Sequence, residues 1–240
     1  MKKRILSVFT LLIIASGIVL GCGTNVYGKE KKEIIICIDP GHQEHGDGRL
    51  ESMAPWSNLK KPRVSSGTAG VWTKNKEYQI NLEVGMMLKS FLEKEGYKVV
   101  MTRENNKVSL SNRERAEISN NAKADLTLKL HCDGSKDGGK RGASILIPSS
   151  ETKELNSIYM SSKEYGDILK NSFKEDGIKI NGVFERKDMT GFNWSQRPVV
   201  ILEMGFMSNF EDDKMLGDKI YQEKIVNSII KSINKYVENK

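Results

Sequence analysis

The chain has 240 residues, enough to bury one substantial core, and shows neither an internal repeat nor a second compositional block. Its formal charge of +7 falls to +4 once Lys2, Lys3 and Arg4 are set aside, and its 29% of charged residues are spread over both signs. Clusters such as KEKKE and NLKKPR therefore read as solvated loops and not as a concentrated basic stripe, which argues against a nucleic-acid partner.

The opening MKKRILSVFTLLIIASGIVLGC has a basic start, an apolar run from Ile5 to Leu20 that is short for a membrane span, and then small residues, the pattern of a secretory signal over residues 1–21. VLGC (Val19 to Cys22) resembles the bacterial lipobox, which implies that Cys22 becomes a lipidated amino terminus held at a membrane outside the cytoplasm. An ordinary cleaved signal or an uncleaved anchor is the alternative. The polar, aperiodic stretch that follows makes residues 22–33 a tether, with the fold over residues 34–240. Cys37 and Cys132 each sit in an apolar strand-like run, where buried free thiols are expected in preference to a disulfide.

EIIICID (Glu33 to Asp39) is a continuous apolar run stopped by Pro40-Gly41, as in a strand buried on both faces. Gly46 to Lys76 has no sustained period and reads as a long functional loop. Ile80, Val84, Met87, Leu88 and Phe91 mark an amphipathic helix from Glu77 to Gly96, and YKVVMTR (Tyr97 to Arg103) the next strand. A capping box, Ser111 with Glu114, opens a helix that runs to about Ala122. Strands are then expected over Asp125–His131, Gly142–Pro148 and Arg197–Gly205, with helices over Glu154–Glu175 and Ile220–Val237. Strands alternating with helices predict an α/β fold: one domain, a twisted and largely parallel sheet, and helices on both faces.

Three of these strands carry an ionisable residue at or just past the carboxyl end: His42, His131 and Glu203. A lone buried charge costs several kcal/mol, about the scale that a partner must offset, and a metal ion is one such partner. In a parallel sheet the three ends share an edge, and Glu77 begins the first helix near that edge. Two imidazoles, one carboxylate ligand and a second carboxylate as general base form a known hydrolytic set. Spacing alone does not say which glutamate does which.

Four motifs then resemble the zinc-dependent N-acetylmuramoyl-L-alanine amidases of bacterial cell walls: IDPGH (Ile38 to His42), KEYQINLEV, LSNRERAEISNNAKADLTLKLHCD and RPVVILEMGFMSN, in that order. The resemblance implies that His42, Glu77 and His131 bind Zn2+ and that Glu203 is the catalytic carboxylate. It implies a hydrolase of peptidoglycan acting on the amide between the lactyl group of N-acetylmuramic acid and L-alanine. A wall-binding or regulatory lipoprotein on the same fold is the alternative. The location implied is the outer face of the cytoplasmic membrane, or the wall and medium if the signal is simply cleaved. Where the family usually has glycines after DPGH, this chain has Gln43, Glu44 and His45.

Other residues carry weaker expectations. Arg113 and Arg115 are expected to pair with Glu114 or Glu117, and Arg197 to meet a stem-peptide carboxylate. Trp56, Trp72 and Trp194 are candidates for stacking on sugars or for local cores, and His45 is expected at a solvated rim.

Overall fold

The computed structural model describes residues 33–240; the signal segment, Cys22 and nearly all of the tether lie outside the described residues. In chain order the elements are β1 (Ile35–Pro40), β2 (Asp47–Ala54), β3 (Ser57–Val64), α1 (Glu77–Lys94), β4 (Lys98–Met101), α2 (Asn112–Asn121), β5 (Leu126–Asp133), β6 (Ala143–Pro148), α3 (Asn156–Glu175), β7 (Ile180–Arg186), α4 (Thr190–Asn193), β8 (Val199–Phe206), α5 (Phe210–Leu216) and α6 (Lys219–Glu238). Six strands form one sheet in the order β4-β1-β5-β8-β6-β7, all neighbours parallel except β6 against β8. Among the described residues no helix is long and apolar enough to cross a membrane.

Alternation along the central strands assigns the two faces. Ile36 and Ile38, Leu126, Leu128 and Leu130, and Val200 and Leu202 point into the main core beneath α1, α3 and α6. Each such side chain contributes about 1.5–3 kcal/mol on burial. The residues between them, Asp39, Thr127, Lys129, His131, Ile201 and Glu203, look the other way. That second face is covered over part of its area by α2 and α4 and by a smaller cluster of Leu146, Ile158, Phe192, Val199 and Ile201. The expected sheet with helices on both faces is therefore present.

The expected loop from Gly46 to Lys76 instead contains an antiparallel hairpin, β2 paired with β3 through the turn at Pro55 and Trp56. Both of its faces are largely polar and its register is interrupted, so no period-2 apolar pattern marks it. Strand β7 likewise carries no hydrophobic signature in the sequence, because an edge strand of half-exposed residues has no buried run. Cys37 and Cys132 are buried and unbonded, and burial pushes the Cys37 thiol up to about 12.

Below the sheet's functional edge lies a buried ionic cluster. Asp39 accepts from Arg115 at 2.7 Å, from Thr102 at 2.5 Å and from the Lys129 ammonium. Burial by itself would raise the Asp39 carboxyl, but Lys129 and Arg115 outweigh it and hold the group well below the usual carboxylate range. Asp39→Asn leaves two buried cations short of a counter-charge and should destabilise the fold by about 3–5 kcal/mol. Because the native carboxyl ionises below the unfolded value of about 3.9, its contribution is complete above about pH 5 and fades as the pH falls below 4. Urea unfolding should show a large loss for the variant at neutral pH and a smaller gap in acid; equal midpoints at neutral pH would contradict this.

Candidate active site

The chain leaves β1 at Pro40 and turns sharply, with His42 in the left-handed region at φ 61°. Two buried guanidinium groups hold that turn. Arg103 donates to the carbonyls of Pro40 (2.8 Å) and Gly41 (3.0 Å), and Arg115 to those of Pro40 and His42 (both 2.9 Å). Arg115 also meets the Gln43 side chain. The pairing expected between Arg115 and the helix glutamates is thus absent, because Arg115 lies on the buried side of α2, while exposed Arg113 does pair with Glu117 at 2.7 Å.

His42 Nδ1 faces the Ser65 carbonyl at 2.9 Å, an arrangement that places the proton on Nδ1 and the lone pair on Nε2. That Nε2 lies 3.1 Å from Glu77 Oε1 and 3.1 Å from His131 Nδ1, and His131 Nδ1 lies 3.3 Å from Glu77 Oε1. Glu77, the first residue of α1, is oriented by the backbone N–H groups of Thr68 (2.9 Å) and Cys132 (3.0 Å). Two glycines make room. A Cβ on Gly41 would sit 2.2 Å from the His131 ring, and one on Gly67, itself at φ 81°, would sit 2.6 Å from Glu77 Oε2.

These three donors fit a divalent metal ion. Three ligand atoms about 2.0 Å from a common centre in tetrahedral geometry lie roughly 3.3 Å apart, close to the separations here. Protonation agrees. Burial would raise Glu77, but its close contacts with the His131 and His42 rings hold it well below the ordinary carboxylate range. Burial depresses His131, with Glu77 opposing. A carboxylate and a neutral imidazole are the forms that ligate.

Glu203 stands beside this set, in register with His131 on the adjoining parallel strand. Its Oε2 is shielded from solvent and has no hydrogen-bond partner among the described residues. Burial, reinforced by the charges of Glu77 and Asp133 and opposed by Arg186, pushes its pKa well above the usual value. Two clefts meet at His42. One of about 440 Å³ contains Glu203, His131, Lys129, Lys61 and Asp188. The other, of about 580 Å³, contains Glu77, Thr68, Val71, Ser135 and Ser208.

The sequence profile of the N-acetylmuramoyl-L-alanine amidase family matches residues 36–235. The chain belongs to this family. It is 24% identical over 208 residues to an N-acetylmuramoyl-L-alanine amidase of Mycobacterium tuberculosis, covering 83% of this chain and 85% of that one. It is 26% identical over 213 residues to the probable cell wall amidase LytH of Staphylococcus saprophyticus, covering 88% of this chain but only 61% of that longer relative. The amidase Ami1 of Mycobacterium smegmatis has the same fold, with a TM-score of 0.78 at 23% identity over 86% of this chain and 98% of that one. As an amidase of this family the chain is a hydrolase, and its His-Glu-His cluster is the expected kind of metal site for that class.

The remaining sequence expectations divide. His45 is exposed, as expected for a rim. Arg197 does not reach the amidase cleft: it precedes β8 and donates to the Ala124 carbonyl, and six residues of strand, about 20 Å, separate it from Glu203. Trp194 is a local core, donating to the Ser52 carbonyl and covered by Arg113 at 3.9 Å from its ring. Lys129 was missed, although its place two residues before His131 on the same strand face was available from period-2 alternation. Gly41→Ala should fold yet lower divalent-metal affinity by about 10–100-fold, since the added methyl displaces the His131 ring. Metal titration of the purified variant checks this, and wild-type affinity would refute the cradle.

Proposed function

We propose that the protein is an exported zinc amidase that cleaves peptidoglycan at the amide joining the lactyl group of N-acetylmuramic acid to L-alanine. The observation that carries this reading is the convergence of His42, Glu77 and His131 on one point beside a shielded, unpartnered Glu203 oxygen. His42, Glu77 and His131 would hold the zinc. Such an ion supplies Lewis acidity, polarising the lactyl carbonyl and making a nearby water acidic around neutral pH. A cation there also opposes the burial that keeps Glu203 protonated, so that its carboxylate becomes the base.

Glu203 then has one task at one atom. Oε2 takes a proton from the attacking water and delivers it to the departing alanine nitrogen. Buried Glu77 cannot share that task, because both its oxygens accept backbone N–H groups and one also faces the imidazoles. Glu203→Gln should keep zinc and lose roughly 10²–10⁴-fold in rate on defined muropeptides, read as released stem peptide. Full activity in that variant would reject Glu203 as the proton carrier. Zinc without cleavage in the wild type, on isolated wall as well, would favour the binding-protein alternative.

The lipobox-like VLGC supports a second element of this reading, a lipid anchor on Cys22 with residues 1–21 as its signal and residues 22–33 as tether. Several acyl chains at about 0.8 kcal/mol per buried methylene suffice to keep the enzyme at a membrane surface facing the wall. Cys22→Ser should move the protein from the membrane fraction to the medium in fractionated cells. An unchanged membrane fraction would exclude lipidation at Cys22.

A further inference from the structure

We propose that the substrate crosses the centre in one direction: stem peptide in the cleft that holds Glu203, glycan strand in the cleft that runs past Val71, with the exposed Trp72 and Phe210 rings as a sugar-stacking platform at its rim. The inference rests on the amidase reading above and adds an orientation and a subsite to it.

The direction follows from where the proton must go. The leaving nitrogen belongs to the peptide, and the group that protonates it must lie on the peptide's side of the scissile bond. Glu203 lines the cleft with Lys61, Lys129 and Asp188 and does not line the other. The side chains agree with this polarity. Fixed charges of both signs suit a peptide bearing carboxylates and amines: Lys61 and Asp188 are partly exposed there, while Lys129 lies beneath them paired with Asp39. The second cleft offers the hydroxyls of Thr68, Ser135 and Ser208 and the apolar Val71, with Lys136 as the one charged lining residue besides Glu77. Uncharged sugars with hydroxyl and acetamido groups match that surface.

Val71 and Ser208 lead directly to the platform, one and two residues before Trp72 and Phe210. Trp72 is 66% exposed and Phe210 43%, and their rings meet edge to face with centroids 5.2 Å apart. The segment that displays Trp72 is fixed from behind. Buried Asp213 accepts from Trp72 N (2.7 Å), Thr73 N (2.9 Å) and Thr73 Oγ1 (2.5 Å), and Val71 N donates to the Met207 carbonyl at 3.0 Å. A Cβ on Gly70 would fall 2.0 Å from Asp213, so the turn admits only glycine there. A buried carboxylate thus holds the backbone of an indole that stays in water. A rigid, wide apolar face with an N–H at its edge is what the C–H face and hydroxyls of a pyranose bind. Two aromatic side chains at about 150–250 Å² each fall short of the roughly 800 Å² per partner of a stable protein interface, which favours a sugar over a second protein.

The experiment compares two substrates, intact peptidoglycan and a soluble N-acetylmuramoyl peptide with a single sugar, through the ratio of their kcat/KM values. In Trp72→Ala that ratio should fall about tenfold, chiefly through KM on the polymer, and Phe210→Ala should lower it in the same direction. Trp56→Ala, at the exposed hairpin turn, controls for loss of any surface tryptophan and should keep the ratio within about twofold of wild type. Peptide-free glycan strands should inhibit the wild type competitively and Trp72→Ala about tenfold more weakly. An unchanged ratio in both Trp72→Ala and Phe210→Ala overturns this inference alone. A wild-type protein that cleaves neither substrate overturns the amidase reading and this inference with it.

Discussion

The left-handed backbone at His42 is the constraint on which the site depends. A non-glycine residue at φ 61° costs of order 1–3 kcal/mol and persists only where its surroundings over-determine it. Here three successive carbonyls, those of Pro40, Gly41 and His42, are each captured by a buried guanidinium of Arg103 or Arg115. Arg115 is in turn fixed by Asp39, whose other partners are Thr102 and Lys129. The cluster links β1, α2 and β5, so the elements that set the sheet also set the direction in which His42 leaves it. Buried arginines suit this role because a planar fork of donors binds several acceptors at once in a fixed plane.

The parts of this arrangement legible in the sequence are those with a one-dimensional signature. A buried strand stopped by Pro-Gly gave His42, and parallel strand ends gave His131 and Glu203. The capping box at Ser111 and Glu114 appears as expected, with Ser111 Oγ accepting from Glu114 N at 3.1 Å. The illegible parts are those whose cause is three-dimensional. Arg113 and Arg115 look alike in sequence, yet a two-residue step, a little over half a helix turn, sends one to solvent and Trp194 and the other into the ionic cluster. Arg197 adjoins the Glu203 strand in sequence, but an extended strand carries its two ends to opposite edges of the sheet. The β2–β3 hairpin has no buried face along most of its length, so hydrophobic patterning could not mark it.

The same topology explains why the two ends of the groove differ. The side with Glu203 is walled by α4 and by the hairpin, whose Lys61 pairs with Asp188 at 3.6 Å. The other side is a turn over α5, rich in small and hydroxyl residues, where the backbone binds a buried aspartate. A charged, walled pocket and an open, weakly charged one therefore meet at a single histidine. An extended substrate with an ionised peptide and a neutral glycan presents the complementary asymmetry.

Glu77 and Glu203 show how environment divides labour between identical side chains. They lie near enough for the charge of Glu77 to raise Glu203, and both are largely shielded from water. Glu77 heads a helix and receives two backbone N–H groups, so every contact it makes favours the ionised form. Glu203 sits in a strand between Leu202 and Met204, receives nothing at Oε2, and feels Glu77 and Asp133 as like charges. Pairs of carboxyls pushed apart in this way suit a cation ligand and an acid–base group, the division of roles proposed above for Glu77 and Glu203. An oxygen already saturated by donors could not accept and release a proton within a catalytic cycle. Among the described residues no donor reaches Glu203 Oε2, which leaves that atom open to accept a proton, as the proposed role requires.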